Sequence, residues 1–419
     1  MMVSKLIALI VIILGVIAVA QLVRVYELTA KLRNRGEHEI STRDNNLNGK
    51  MMFGFMIALY IFIAWLMLRF GWTGRGEAAS TIGKETDWLL NLNFIILFAA
   101  FILTNSLLFF FSYKYVKKEG VPAYFFPHNN KLEMIWTIVP ALVLAVIIVL
   151  GLKKWNEATA NAANESICIE LFSKQFDWTA RYSGQDNKLG RFDYKLTTDN
   201  NELGLLTTES IDSAIVAMEN GPNGINKLEN KLNDQRLMMI PEDREKMELD
   251  LSRKQRMIRL LYQMKERHDS KIDKHAWDDI IQKDTLYLCV NKEHEFNFRA
   301  KDVLHSAFFP HFRAQMNTVP GMVTRTKFTP DITTKAMRER MNNPKFNYVL
   351  MCNKICGGAH YKMKMIIVVL EEKDYKKWIS SKKSFKENYF AATSAPAPSS
   401  AMSADSTMVT KDTASVAMN

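Results

Sequence analysis

Cys352–Met363, CNKICGGAHYKM, puts two thiols, an imidazole and a thioether at spacings of four, four and three. The chain has four cysteines in 419 residues, and two of them lie here. The alternating run FNYVLM (Phe346–Met351) precedes the stretch and the apolar run MIIVVL (Met365–Leu370) follows it. A loop held between two strands is a rigid place for ligands. Three readings compete. A disulfide between Cys352 and Cys356 is feasible in an oxidising compartment, but leaves His360 and Met363 unexplained. Zinc takes Cys and His but has no preference for a thioether. Copper favours soft thiolate and imidazole with a weak axial Met. A single copper needs one Cys, whereas two thiolates four apart could bridge two copper ions, each then needing an imidazole.

The second imidazole must come from elsewhere. Of eight histidines, His38 and His128 fall in loops read as cytoplasmic, and His268 and His275 in a helical segment. His294, His305 and His311 remain. His305 sits in KDVLHSAFFP, beside a predicted strand and ahead of an apolar shell.

Further runs read as strands: ICIELFS (Ile167–Ser173), LYLCV (Leu286–Val290), EFNFRA (Glu295–Ala300) and VTRTKFT (Val323–Thr329). Short strands separated by Pro and Gly predict a β-sandwich or small barrel. Residues 209–282 break this pattern with charged, helix-period sequence. Pro222 and Gly224 precede one helix, and Pro241 with Glu242 and Asp243 opens another. The expectation is an antiparallel helical hairpin inserted into the β-domain, serving as a docking arm or packing on its own domain. Residues 388–419, rich in Ala, Ser, Thr, Pro and Met without period, are predicted to be a disordered tail.

Four segments before residue 153 are apolar over roughly the 20 residues a bilayer crossing takes: Leu6–Val23, Met51–Phe70, Leu92–Phe111 and Ile135–Leu152. The loop 21–50 carries Arg24, Lys31, Arg33, Arg35, Arg43 and Lys50, and the loop 112–134 carries Lys114, Lys117, Lys118 and Lys131. The loop between them, 71–88, has only Arg75 and Lys84. The positive-inside rule puts the first and third loops in the cytoplasm. Four retained spans satisfy this better than a signal cleaved after Ala18-Val19-Ala20. Lys153 and Lys154 fall on the outer side, where snorkelling can accommodate them. The net charge of +11 is dispersed around apolar runs and argues against a nucleic-acid partner. Four cysteines are too few for a disulfide framework.

DVLHS, then VPGM, then C-x3-C-x3-H-x2-M resembles the binuclear copper A motif of subunit II of the haem–copper cytochrome c oxidases. The two-span hairpin from Leu92 to Leu152, including EMIWTIVP, and the QFDW run (Gln175–Trp178) are similar to the same family. The match covers about residues 88–200 and 284–380. The resemblance implies transmembrane helical hairpins followed by an all-β cupredoxin-like Greek-key barrel with an inserted helical hairpin. The implied divisions are an additional membrane hairpin over 1–72, the family's hairpin over 88–154, a copper A domain over 165–208 and 283–385, the insertion over 209–282 and the tail. It implies two copper ions bridged by Cys352 and Cys356. His305 and Met363 complete one, and His360 and the carbonyl of Lys354 the other. Haem and a further copper are expected in subunit I, not in this chain. Implied partners are subunit I and other oxidase subunits, a soluble or complex-bound cytochrome c, membrane lipid and a respiratory supercomplex. The implied location is a bacterial inner membrane, with the copper domain on the periplasmic side. Glu133 would stand at the entrance of a proton path, and Phe176 and Trp178 on the electron-entry run.

Three departures accompany the resemblance. Lys354 stands where the family has a Glu that offers a carboxylate to magnesium, so no magnesium ligand is expected from this chain. Phe176 replaces the Trp that opens the aromatic run. The first two spans and the insertion lie outside the family pattern and are expected to meet other respiratory subunits. Two rival readings differ in class. A quinol-oxidase subunit II lacks the copper ligands, which this chain has. A membrane-tethered zinc or disulfide-stabilised assembly protein would have no electron role. No Cys-x-x-Cys-His occurs, so no attached haem c is expected.

Overall fold

The computed structural model describes residues 2–32, 41–71, 75–118, 120–198, 200–234 and 240–394. Two compact units emerge, residues 1–77 with 85–155 and residues 78–84 with 156–419.

The first unit is helical: α1 (Met2–Leu32), α2 (Thr42–Leu66), most of α3 (Thr81–Lys114) and most of α4 (Asn130–Thr159). Among the described residues three helical segments are long and apolar enough to cross a membrane, Thr42–Gly71, Thr81–Lys114 and Asn130–Thr159. The first predicted span falls on α1. Ser41 caps α2 by accepting the N–H of Asp44. Helix α4 stays helical through Pro140; in a membrane, neighbouring groups re-satisfy the carbonyl that a proline frees. Helices α2 and α3 pack closely. A Cβ on Gly49 would come within 2.8 Å of Val116, Tyr60 donates to the carbonyl of Ile102 at 3.1 Å, and the rings of Phe53 and Tyr113 lie 5.4 Å apart. Small residues and interhelical hydrogen bonds are what hold helices together where lipid removes the hydrophobic drive.

The second unit holds ten strands and seven helices among the described residues: β1 (Ile167–Lys174), β2 (Asp177–Tyr182), α5 (Thr208–Asn220), α6 (Ile225–Asn233), α7 (Pro241–Arg267), α8 (Asp273–Trp277), β3 (Ile280–Lys283), β4 (Thr285–Cys289), β5 (His294–Ala300), β6 (His305–Phe309), β7 (Ala314–Thr318), β8 (Thr324–Phe328), α9 (Thr334–Arg340), β9 (Tyr348–Cys352), β10 (Lys364–Leu370), α10 (Glu372–Ser380) and α11 (Phe385–Ser394). One sheet runs β3-β2-β1-β5-β8 and the other β4-β10-β9-β6-β7. Pairing is antiparallel except for β1 with β5 and β4 with β10. The inner faces meet in one core that includes Ile169, Leu171, Trp178, Phe296, Phe309, Tyr348, Leu350 and Ile367. This is the expected β-domain, two packed five-stranded sheets that follow the membrane helices in the chain.

Three features differ in detail from the sequence reading. Among the described residues the insertion holds four helices, α5 to α8, rather than two, and its small core of Ile211, Ala214, Ile215 and Leu261 closes on Leu196 of the preceding segment. It packs on itself and on Leu196 of its own domain, and Pro241 opens α7 as predicted. The predicted disorder from residue 388 gives way to α11 through Ser394, because Phe385 and Tyr389 are buried against Trp277; residues 395–419 lie outside the described residues. The segment 78–84, read as a simple loop, is sewn onto the β-domain. Ala79 donates its N–H to the carbonyl of His311 at 2.8 Å and accepts from Asp331 at 3.1 Å, and the buried Ser80 hydroxyl donates to the carbonyl of Phe312 at 2.8 Å.

Candidate metal centre

Three neighbouring strands deliver the site. Strand β6 pairs antiparallel with β9, so the start of one lies beside the end of the other: His305 opens β6 and Cys352 closes β9. Strand β10 pairs antiparallel with β9 on the other side, which brings Met363, just before β10, to the same edge. The N–H of Cys352 donates to the carbonyl of Met363 at 3.1 Å. Cys356 and His360 sit on the connecting loop.

The side chains converge. Ligand atoms of His305, Cys352 and Cys356 all lie within 4.8 Å of one another, and the two sulfurs are 3.9 Å apart. Cys356 Sγ is 3.5 Å from His360 Nδ1 and 3.8 Å from Met363 Sδ. Cys352 Sγ is 3.2 Å from the carbonyl oxygen of Lys354, whose own side chain points to solvent. Every candidate ligand read from the sequence is thus brought together. His305 Nε2 bonds Asp302 Oδ1 at 2.9 Å. That leaves Nδ1 buried and without a hydrogen-bond partner, and a buried polar atom of this kind calls for a ligand. Two buried thiols, a buried thioether, two imidazoles and a carbonyl form a soft donor set that suits copper better than zinc.

Burial, then the neighbouring Cys352, pushes the Cys356 thiol up to about 11. Asp302 is held below its ordinary range: burial opposes its charge, but the N–H of Gln175, the His305 ring and the N–H of Val303 outweigh it. Asp302 is a residue the sequence reading missed. It is the carboxylate that fixes the His305 ring, the arrangement typical around metal-binding imidazoles.

The other two candidate histidines serve elsewhere. His294 accepts the N–H of Cys289 on Nε2 and bonds the carbonyl of Lys292 through Nδ1, bridging β4 and β5. His311 packs edge-on against Phe346 and Tyr348. Gln175 and Phe176 cover the metal loop from the β1–β2 turn. Gln175 Nε2 donates to the carbonyl of Cys356, and a Cβ on Gly357, at φ +142°, would come within 2.9 Å of Phe176 Cζ. Trp178 is buried in the core, its ring edge-on to His305 with centroids 6.4 Å apart. Glu133 is half-buried in the first turn of α4, where its carboxylate accepts the N–H of Asn129 at 3.3 Å.

Comparison with known proteins adds a family resemblance. A family model described as the transmembrane domain of cytochrome c oxidase subunit II matches residues 69–153. The alternative cytochrome c oxidase subunit 2 of Bradyrhizobium diazoefficiens is 24% identical over 302 residues, 71% of this chain and 80% of the relative. The chain resembles cytochrome c oxidase subunit II. The subunit 2 of Cereibacter sphaeroides is 23% identical over 312 residues, 74% of this chain and 80% of its own. Among solved structures, the periplasmic domain of subunit II of a cytochrome oxidase from Bradyrhizobium japonicum is 15% identical, with a TM-score of 0.25, covering 53% of this chain and 96% of that one. The likeness to subunit II covers the membrane segment 69–153 and, in these relatives, about seven-tenths of the chain.

Proposed function

We propose that the chain is subunit II of a terminal cytochrome c oxidase, carrying a binuclear copper centre between Cys352 and Cys356. The carrying observation is the convergence of two thiolates, His305, His360, Met363 and the Lys354 carbonyl at one strand edge. When bound, the coppers supply a one-electron redox centre that takes electrons from cytochrome c and hands them to haem in subunit I, where oxygen is reduced to water with proton translocation.

The chain's own residues prepare that role. Asp302 orients His305, leaving Nδ1 for the metal. Gln175 pins the Cys356 carbonyl and so the loop. Burial of Cys352, Cys356 and Met363 excludes water. Rigid ligands limit rearrangement between oxidation states, which favours rapid transfer. Phe176, half-buried over Gly357, is the proposed point of electron entry, with Trp178 behind it against His305. Glu133 is proposed as the mouth of a proton path, besides accepting the N–H of Asn129 just ahead of α4. Lys354 supplies a carbonyl and no carboxylate, so no magnesium ligand is proposed. The proposed partners are subunit I, other oxidase subunits, cytochrome c, lipid and a respiratory supercomplex. The proposed location is a bacterial inner membrane with the β-domain outside.

Metal analysis of the purified full chain tests the reading: about two coppers per chain with mixed-valence absorption is expected, whereas one zinc would favour a scaffold. His360→Asn should abolish that absorption and electron entry while the helices still insert. Normal oxidase turnover in the variant would contradict the assignment.

A further inference from the structure

Phe296 and Phe298 of β5 belong to the core between the sheets, so Arg299 lies on the opposite face of its strand. It is nevertheless only 7% exposed. The ring centres of Phe172 and Phe192 lie 4.9 Å and 3.6 Å from its guanidinium carbon. Nη2 donates to Glu170 at 2.7 Å and to the carbonyl of Leu203 at 3.0 Å. Glu170 is shared, because its other oxygen binds Arg181, which also takes Asp279. Two donor atoms of Arg299 are left over. Nε is buried without a partner, and among the described residues Nη1 has none.

Arg299 lines a cavity of about 430 Å³, within the size range of small-molecule sites. Backbone pairing fixes its walls: Phe192 bridges Leu205 on one side, and Pro320 bridges Ala300 and Met322 bridges Val319 on the other. Much of the lining is apolar, from Phe172 and Phe192 to Val319, Met322 and Val323. Lys301 adds a second cation, exposed and without an ionic partner among the described residues. The acid in the lining, Asp193, is already occupied: it accepts the N–H of Lys195 at 2.9 Å and pairs with the ammonium of that residue at 3.2 Å. Buried donors without acceptors call for a ligand that accepts, and a guanidinium clamped between two rings is already oriented to donate. We infer that this cavity binds a small organic carboxylate with an apolar body. The carboxylate accepts from Arg299 and Lys301, and the body lies against Val319, Met322 and Val323. The site uses no residue of the metal centre and holds or fails independently of it.

Isothermal titration of the full chain in lipid nanodiscs tests this, with hexanoate as the probe, hexanol and inorganic phosphate as controls, and empty nanodiscs as the blank. Hexanoate should bind saturably, one to one, with a dissociation constant of about 1 mM or tighter, and more weakly as salt rises. Hexanol has the same length without the charge, and phosphate has charge without the apolar body; each should bind about tenfold more weakly, because each loses one of the two kinds of contact. Arg299→Lys keeps a charge beside Glu170 but loses the planar donor group, and should weaken hexanoate about tenfold. That variant also disturbs the cluster around Glu170, so a second one leaves the cluster intact. Val323→Trp, at a position 47% exposed, fills the cavity and should abolish binding while the melting temperature stays unchanged. No saturable heat above the blank, an equal response to hexanol or to phosphate, or full binding in Val323→Trp would each overturn the inference.

Discussion

Asp302 shows how a residue outside the motif controls the one inside it. Its carboxylate fixes one nitrogen of His305 and leaves the other buried without a hydrogen-bond partner. Asp302→Ala should lower metal affinity about 10–100-fold, measured by copper competition with a chelator, while the β-domain stays folded; unchanged affinity would remove Asp302 from the site. Gly357 is the second such residue. Its φ of +142° is open to glycine, and a methyl group would press on Phe176 and Gln175. Gly357→Ala should cost about 1–3 kcal/mol, lower the melting temperature and shift the metal absorption, because Gln175 also holds the Cys356 carbonyl. The ligands were legible in the sequence because coordination imposes short, ordered spacing on a single loop. His305 needed the family resemblance, since nothing local separates it from His294 and His311. Asp302 and Gln175 were not legible: a bond from residue 175 to residue 356 has no periodic signature.

At the scale of elements, alternation revealed strands with one dry face and concealed those with charge inside. Strand β2 is buried along nearly its whole length yet reads DWTARY. Its Arg181 is 1% exposed and reaches Glu170 and Asp279, and Arg299 completes the group on Glu170 at 2.7 Å. Buried charges survive only when paired, and two of the partners, Asp279 and Arg299, come from about a hundred residues further along the chain. The short strands β6 and β7 form a local hairpin and escaped because HSAFF lacks a polar–apolar alternation. His294 gives this scale its prediction. Burial drives its imidazole down to about 3, with the bond to the Lys292 carbonyl opposing. The unfolded chain therefore binds a proton near pH 6.5 that the folded chain refuses. This contribution is complete above about 6.5 and is lost as pH falls toward 3, with a slope of at most about 1.4 kcal/mol per pH unit. Denaturation of the β-domain followed by tryptophan fluorescence should show that fall between pH 6 and 4. His294→Gln should be less stable at pH 7 but flatter across the same interval, and an equally steep fall in the variant would clear His294 of the effect.

For the molecule as a whole, orientation in the membrane follows from charge and from one stitch. Residues 78–84, between the second and third predicted spans, are hydrogen-bonded into the β-domain that follows the fourth. Both stretches must then lie on the same side of the bilayer, so the chain crosses out and back through α3 and α4. The loop 115–129 between these helices lies on the other side, flanked by Lys114, Lys117, Lys118 and Lys131, and the positive-inside rule makes that side the cytoplasm. Lys154, which the rule disfavours on the outer side, pairs with Glu85 at 2.6 Å. Reporter fusions decide the matter in a bacterial host. Alkaline phosphatase joined after residue 165 should be active and joined after residue 125 inactive, with fluorescence of a fused green fluorescent protein reversed between the two positions. The opposite pattern would place the thiols of Cys352 and Cys356 in the reducing cytoplasm and contradict the proposed role of the metal centre.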